Sequence, residues 1–179
     1  HYHLLKDITQ TQLNNLTTWT SSSPIRLYTG DSFNGHGYTI DMENLQYWKG
    51  LFNTSNSDSS DNLVEIKNIK IVNTGLLSSY SGVIVSSYEL GETELSKNIH
   101  ISNCHVYNLL SNNQVNYCGG ILGAYTNGRV IINNCNVYGN TCKYGGGIMG
   151  GYNFGDININ NCVFTGSLDY SSGGIAGGY

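Results

Sequence analysis

At 179 residues the chain has the length of a single domain and is long enough to bury a core. Only 11% of its residues are charged, and 23 glycines, 14 tyrosines and a single proline are typical of an all-β protein with many turns. A formal net charge of −4 with scattered Lys and Arg excludes a nucleic-acid-binding patch, and no apolar run approaches the roughly 18 residues of a membrane-spanning helix.

The N-terminal part, residues 1–62, is the least regular. Residues 2–9 form the first predicted strand, and the polar residues 10–23 predict a loop, with a short helix over residues 8–16 as the alternative. Pro24 opens a further strand, and residues 33–40 predict a tight turn followed by a strand. The chain begins at His1 without an initiator methionine or a signal peptide, which indicates a processed or partial chain.

Residues 63–179 contain regular repeats. An Ile-x-Asn-Cys phrase places Asn-Cys pairs at residues 103, 134 and 161, with steps of 31 and 27 residues. A Gly-Gly-Ile-x-Gly phrase begins at residues 119, 146 and 173, with a step of 27 residues both times. Residues 66–73 and 82–88 carry a diverged copy of both phrases, in which Ile69 stands at the cysteine position. Such a period is typical of units that bury their apolar faces only by stacking.

Each unit holds two or three short strands, which fits one rung of a parallel β-helix better than a helical repeat or a propeller blade. The sequence therefore predicts one all-β domain over residues 1–179, a right-handed parallel β-helix of about five to six rungs. Equivalent residues should stack about 4.8 Å apart and form three ladders of like side chains. These are Asn68, Asn103, Asn134 and Asn161; Ile69, Cys104, Cys135 and Cys162; and Tyr88, Tyr125, Tyr152 and Tyr179.

The order of these phrases resembles a known repeat. The positions that carry the resemblance are residues 2–9, Trp19 with residues 24–25, and residues 33–40, 50–52 and 66–73, followed by the three terminal repeats. Together they are similar to the GLUG-type repeats of β-helical surface and adhesin-like proteins. The resemblance covers nearly the whole chain and implies an extracellular location, on a cell or virion surface. The cysteine ladder and the additional length between residues 108 and 117 depart from that pattern.

The cysteines suggest structure rather than chemistry. A linear stack of thiols does not offer the tetrahedral geometry of a metal site, so we expect neither a metal nor a cofactor there, and the thiols act as small apolar groups. Cys118 and Cys142 lie outside the ladder, in loops of adjacent rungs. They are candidates for an outward-facing disulfide in a secreted protein, with free thiols as the alternative.

Carbohydrate-active enzymes with this fold need clustered carboxylates. The twelve acidic residues are dispersed instead, with Asp41 near Glu43, Asp58 near Asp61, and one each at Asp156 and Asp169 in the terminal repeats. The five histidines are also unpaired. We therefore expect no catalytic residue, and a polysaccharide-active enzyme is the least favoured alternative.

Two sequons predict covalent N-glycans. Asn15 and Asn53 both match Asn-x-Ser/Thr and lie in predicted polar loops, and Asn140, followed by Thr-Cys, is a weaker acceptor. These acceptors depend on an extracellular route for the chain.

The sequence favours a non-enzymatic extracellular structural protein, a subunit or segment of a glycosylated fibre or surface layer. Neither end carries a polar cap, and unpaired strand edges template further pairing, so copies are expected to stack head to tail into an open filament. Caps in a longer parent protein are the competing explanation. The alternative function is a glycan-binding adhesin module, for which exposure of Tyr125 and Tyr152 would be the sign.

Overall fold

The structure, a computed structural model, describes residues 1–15, 19–55, 63–86, 98–112 and 114–178. Strands account for 48% of these residues and helix for 3%, and parallel sheets form a β-solenoid of about five turns. The parallel solenoid predicted from the repeats is confirmed. Among the described residues, no helix is long and apolar enough to cross a membrane.

In chain order the elements are β1 (Tyr2–His3), β2 (Ile8–Thr9), α1 (Gln10–Leu13), β3 (Ile25–Tyr28), β4 (Ser32–Asn34), β5 (Thr39–Asp41), β6 (Gln46–Trp48), β7 (Phe52–Ser55), β8 (Val64–Lys67), β9 (Lys70–Val72), β10 (Gly75–Leu77), β11 (Val85–Ser86), β12 (Ile99–Ser102), β13 (His105–Leu110), β14 (Arg129–Asn133), β15 (Asn136–Asn140), β16 (Asp156–Asn160) and β17 (Val163–Ser167).

The first face of the solenoid is a six-stranded parallel sheet in the order β1–β4–β8–β12–β14–β16. Its strands stack in register, so that Ile66 lies beside Ile101, Ile101 beside Ile132, and Ile132 beside Ile159. The first three isoleucines are completely buried. Burial of one such side chain contributes about 1.5–3 kcal/mol, and repetition of the same contact on every rung builds the core.

The second face is an eight-stranded sheet with the main path β2–β5–β9–β13–β15–β17, to which β10 and β6 add a branch. Ile71, Val106 and Val137 lie in register and are completely buried, while Phe164 on the last rung is only partly covered. Alternate side chains of these strands point outward, as the period of two requires.

The third face begins with the three-stranded sheet β3–β7–β11. Single parallel bridges continue it through the glycine phrases, joining Gly82 to Gly119, Gly119 to Gly146, and Gly146 to Gly173. Successive rungs approach closely here: a Cβ on Gly120 would lie 2.2 Å from the carbonyl oxygen of Gly147. The repeated glycine pairs are therefore a packing requirement of this face.

The polar loop predicted near the N-terminus contains one helical turn, α1. Thr9 caps it, because the Thr9 side chain accepts from Gln12 N while the Gln12 side chain accepts from Thr9 N, and Leu13 is buried in the core. The alternative of a helix over residues 8–16 is thus present in a shorter form.

Candidate functional site

The predicted asparagine ladder forms the corner between the first and second faces. Asn68, Asn103, Asn134 and Asn161 all adopt the left-handed backbone conformation, with φ between 50° and 59°. Asparagine tolerates this conformation better than most residues, which explains its recurrence at the turn. Asn103 Nδ2 donates to Asn68 Oδ1 at 3.2 Å, and Asn68 Nδ2 donates to Asn34 Oδ1 at 3.0 Å.

A second amide ladder occupies the next corner. Asn108 Nδ2 donates to Asn73 Oδ1 at 3.1 Å, and Asn73 Nδ2 donates to the two carboxylate oxygens of Asp41 at 3.0 and 3.2 Å. The signal in the sequence is an asparagine five positions after Asn68 and again after Asn103. In the later units Gly139 and Gly166 take that position, which hides the pattern.

The column of Ile69 and the cysteines lies in the core. Ile69, Cys104 and Cys135 are at most 1% exposed, whereas Cys162 on the last rung is half-buried. Hydrogen bonding with the Cys104 thiol raises the pKa of Cys135 to about 12. The nucleophilic form of a cysteine is the thiolate, so Cys135 is an unreactive thiol at neutral pH.

Cys118 and Cys142 are not outward-facing. Both are free thiols, 5% and 4% exposed, and the backbone N of Cys118 donates to Cys142 Sγ at 2.7 Å. Burial raises the pKa of the Cys118 thiol well above its usual range. Cys118 leads directly into the glycine phrase, whose residues 119–122 are all buried, and a thiol packs there as a small apolar group. The expected outward disulfide is therefore corrected to a pair of neighbouring core thiols.

The predicted tyrosine column is present where the structure describes it. The rings of Tyr125 and Tyr152 stack with centroids 4.9 Å apart and planes 9° from parallel, and both side chains are half-buried. Tyr88 and Tyr179 lie outside the described residues.

A longer tyrosine column, which the repeats did not reveal, runs beside it. Ring centroids are 5.3 Å apart from Tyr80 to Tyr117, 5.1 Å from Tyr117 to Tyr144, and 6.2 Å from Tyr144 to Tyr170. The signal for the first three is a tyrosine two residues before each glycine phrase. The columns interlock, since Tyr80 also contacts Tyr125 and Tyr117 contacts Tyr152. We call these six residues the tyrosine array.

Backbone strain accompanies the tyrosine array. Five of its residues have positive φ, namely Tyr80, Tyr117, Tyr125, Tyr144 and Tyr152, with values from 55° to 68°. The left-handed conformation costs roughly 1–2 kcal/mol for a non-glycine residue. An aromatic pair stabilises the fold by about 0.5–1.5 kcal/mol beyond the contribution of its buried area, so the stacking offsets much of the strain.

The orientation of the rings determines what the array can bind. A sugar packs on an open aromatic face, but the near-parallel rings of Tyr80, Tyr117 and Tyr144 cover one another, with interplanar angles of 7° and 19°. The hydroxyls are also engaged: hydrogen bonding with Tyr152 raises the pKa of Tyr117 to about 12. Tyr170, 68% exposed, lies edge-on at the end of the column. The array therefore joins neighbouring rungs through stacked ring faces.

A polar groove of about 480 Å³ lies at the asparagine corner. Its lining residues are His36, Gly37, Asn68, Ile69, Lys70, Asn103 and His105. Lys70 is in register with His105 on the next rung, and burial, with a smaller effect of Lys70, lowers the pKa of His105. His105 Nδ1 is buried without a hydrogen-bond partner among the described residues. No sequence pattern pointed to this groove, because its residues come from three rungs.

The acidic residues considered as catalytic candidates are engaged in other contacts or dispersed. Asp41 accepts from Asn73, and Glu43 Oε2 accepts from Thr11 N and Thr11 Oγ1 at 3.0 and 2.8 Å. Asp156 and Asp169 belong to the last rung, and Asp58 and Asp61 lie outside the described residues. No group of three or more His, Cys, Asp or Glu in the described parts of the chain is arranged to hold a metal ion.

The two sequons differ in accessibility. Asn15 is exposed just after α1, whereas Leu16 and Thr17 of its sequon lie outside the described residues. Asn53 is in β7, pairs with Arg26 and is 3% exposed, so the predicted polar loop is a strand of the third face. The polar composition misleads here because β7 is paired on both sides, with Arg26 and Ser86 opposite Asn53, and neighbouring rungs cover its side chains. The folded chain has no room for a glycan at Asn53.

The two end rungs expose apolar side chains. At the first rung Tyr2 and Tyr28 are 49% and 55% exposed, and they line a cavity of about 630 Å³ together with the partly buried Ile25 and Phe33. On the last rung Val163, Leu168 and Ile175 are 49%, 54% and 39% exposed. Residues equivalent to Ile175 on inner rungs, Ile121 and Ile148, are completely buried.

No protein-family model matches the sequence, and no curated protein or solved structure is significantly similar to it. The resemblance to GLUG-type repeats stays a prediction.

Proposed function

We propose that the protein is a non-enzymatic extracellular structural protein whose copies stack head to tail in a fibre or surface layer. The observation that carries this proposal is the uniform contact between rungs on the third face, where the same parallel bridge joins Gly82 to Gly119, Gly119 to Gly146 and Gly146 to Gly173. Ile121 and Ile148 are completely buried by the rung that follows each of them, whereas Ile175 on the last rung is 39% exposed. A further rung placed on Ile175 would bury it as the inner ones are buried, at about 25 cal/mol per Å² of apolar surface.

The occupant that we propose for this rung is the first rung of a second copy. At that end Tyr2 and Tyr28 are 49% and 55% exposed and line, with the partly buried Ile25 and Phe33, a cavity of about 630 Å³, so apolar surface meets apolar surface. Among the described residues β16 and β17 are the last strands of the first and second faces, and β1 and β2 are the first, so their edges supply backbone donors and acceptors for parallel pairing between copies. The two contact surfaces differ, and stacking along the solenoid axis adds a translation with every copy, so the product is an open filament.

The tyrosine array supports the structural role over the adhesin alternative. Its rings contact one another through their faces from Tyr80 to Tyr144, which strengthens the stacking of rungs.

The test replaces one end residue and one lateral residue of similar exposure. We expect the wild-type chain to form filaments with an axial repeat of about 25–30 Å per copy, as expected for five or six rungs at ~4.8 Å, in negative-stain electron microscopy. Ile175→Lys places a charge in the axial contact and should leave a folded monomer, as measured by light scattering and circular dichroism. The control Leu110→Lys changes a side chain that is 41% exposed on the lateral surface, and it should still assemble.

A wild-type chain that stays monomeric at high concentration contradicts the proposal. So does an Ile175→Lys variant that assembles as well as the wild type.

A further inference from the structure

The polar groove contains a cation without a carboxylate partner. Lys70 is exposed, and its Nζ lies 5.4 Å from the centroid of the Tyr107 ring, which orients the ammonium group. Within the described residues Lys70 forms no ion pair. Asp7, in the same column two rungs away, accepts instead from the backbone N of Thr39 at 2.6 Å. The charge of Lys70 is therefore available to an anionic ligand.

Two histidines flank this cation. His105 lies next to Lys70 on the following rung, and its Nδ1 is buried without a partner in the part of the chain that the structure describes. His36 lines the other side of the groove, and its ring is held by a 2.9 Å hydrogen bond between its Nε2 and His3 Nδ1. Imidazole nitrogens donate or accept according to tautomer, which suits a ligand that carries both oxyanion and hydroxyl groups.

The groove also offers an acceptor. Asn103 uses its Nδ2 to donate to Asn68 Oδ1, and its own Oδ1 has no partner among the described residues. An amide oxygen accepts from a hydroxyl but repels a bare anion. The combination of Lys70 with the Asn103 carbonyl therefore favours a ligand that has a carboxylate and neighbouring hydroxyls.

The volume agrees with a sugar rather than a simple ion. Small-molecule sites occupy about 300–1,000 Å³, and this groove measures about 480 Å³. We propose that the polar groove binds a uronic-acid unit of an acidic polysaccharide, with the carboxylate at Lys70 and a hydroxyl at Asn103. The groove lies on the lateral surface, so the inference does not depend on head-to-tail stacking. A filament would present one groove per copy and bind such a polymer multivalently.

The experiment is calorimetric titration of the full chain with tetragalacturonic acid at low ionic strength, with its methyl ester as the uncharged comparison. We expect the acid to bind and the ester to bind at least about tenfold more weakly, because a hydrogen bond to a charged group is lost. Added salt should weaken binding of the acid, since the groove is exposed and salt screens exposed charges.

Three variants test the assignment of residues. Lys70→Gln should weaken binding about tenfold or more. Asn103→Gly removes the amide but keeps the left-handed turn, which glycine adopts freely, and should weaken binding several-fold without unfolding the chain. The matched control is Lys143→Gln, because Lys143 also lies over a tyrosine, 4.8 Å from the Tyr144 centroid, but outside the groove. Its affinity should equal that of the wild type.

Equal binding of the acid and the ester refutes the proposal, as does an equal loss of affinity in Lys70→Gln and Lys143→Gln. Inorganic phosphate that binds as tightly as the oligosaccharide refutes a sugar site. Filament assembly is measured separately, so failure of this test leaves the structural proposal unaffected.

Discussion

The close contact of rungs on the third face makes Gly120→Ala the most informative single substitution. A Cβ at this position would lie 2.2 Å from the carbonyl oxygen of Gly147 and 2.6 and 2.8 Å from the two methyl groups of Val137. The last rung provides a matched control. Gly174 occupies the same place in its repeat, and a Cβ there meets nothing within 4 Å. The two substitutions are chemically identical and differ only in whether another rung lies against the site.

The expected loss of stability follows from the first contact. Overpacking of a core typically costs 1–3 kcal/mol, and the obstacle at Gly120 is a backbone oxygen that moves only with its strand, so we expect about 3 kcal/mol. In a domain of this size each 1 kcal/mol lowers Tm by about 2–4 °C, which gives about 6–12 °C. Gly174→Ala should change stability by no more than about 1 kcal/mol, because alanine restricts the unfolded chain and meets no obstacle in the folded one.

Urea unfolding followed by far-UV circular dichroism measures both variants under conditions where the chain is monomeric. Similar midpoints for Gly120→Ala and Gly174→Ala would refute the reasoning, because they would mean that Gly120 is not pressed against the next rung. A wild-type slope of ΔG against urea should be retained, since neither change alters the surface exposed on unfolding.

Three further predictions concern single side chains. Cys135→Asp buries a carboxylate without a partner and should lower the free energy of unfolding in urea by about 3–5 kcal/mol. A decrease below about 1 kcal/mol would mean that the side chain faces solvent. Tyr152→Phe removes a hydroxyl that hydrogen bonds with Tyr117, so the pKa of Tyr117 should fall from about 12 towards 10.0 in an NMR titration of labelled tyrosine, and an unchanged pKa would contradict this. Burial and Lys70 lower the pKa of His105 below its ordinary 6.5, so below about pH 6.5 the unfolded chain binds more protons and stability should fall with falling pH. His105→Gln should make the urea midpoints at about pH 8 and about pH 5 more similar, and an unchanged pH dependence would exclude His105 as its source.

The repeated phrases were sufficient to predict which residues stack. Asn103 and Asn134 each follow an isoleucine by two positions, and only one register of the parallel strands lets both isoleucines face inward. That register places the two asparagines on neighbouring rungs. The same logic placed Cys104 and Cys135 in the core. What a period cannot give is the path of the chain between its strands. Tyr117 precedes one glycine phrase and Tyr152 follows the next one, and only the folded path of the chain brings their ring centroids within 5.0 Å.

The errors have a common physical origin. The polar neighbours of Asn53 predict a loop, yet Asn53 lies in β7, between strands of two neighbouring rungs, and is buried. The position of Cys118 outside the ladder also predicts a loop, yet Cys118 leads into the buried glycine phrase. The polar groove combines His36, Lys70 and His105 from three rungs, and no local pattern links residues so far apart in sequence.

The in-register pairing of the glycine phrases also bears on how such a chain changes its length. Gly119, Gly146 and Gly173 form the same bridge to their neighbours, so any unit fits on either side of a copy of itself. A tandem duplication of one whole unit in the coding sequence would therefore add a rung without disturbing those already present. Insertion of a single residue in a strand would instead turn each inward side chain of that strand outward. Selection on such a sequence should accept gains and losses of complete repeats and remove small insertions within strands.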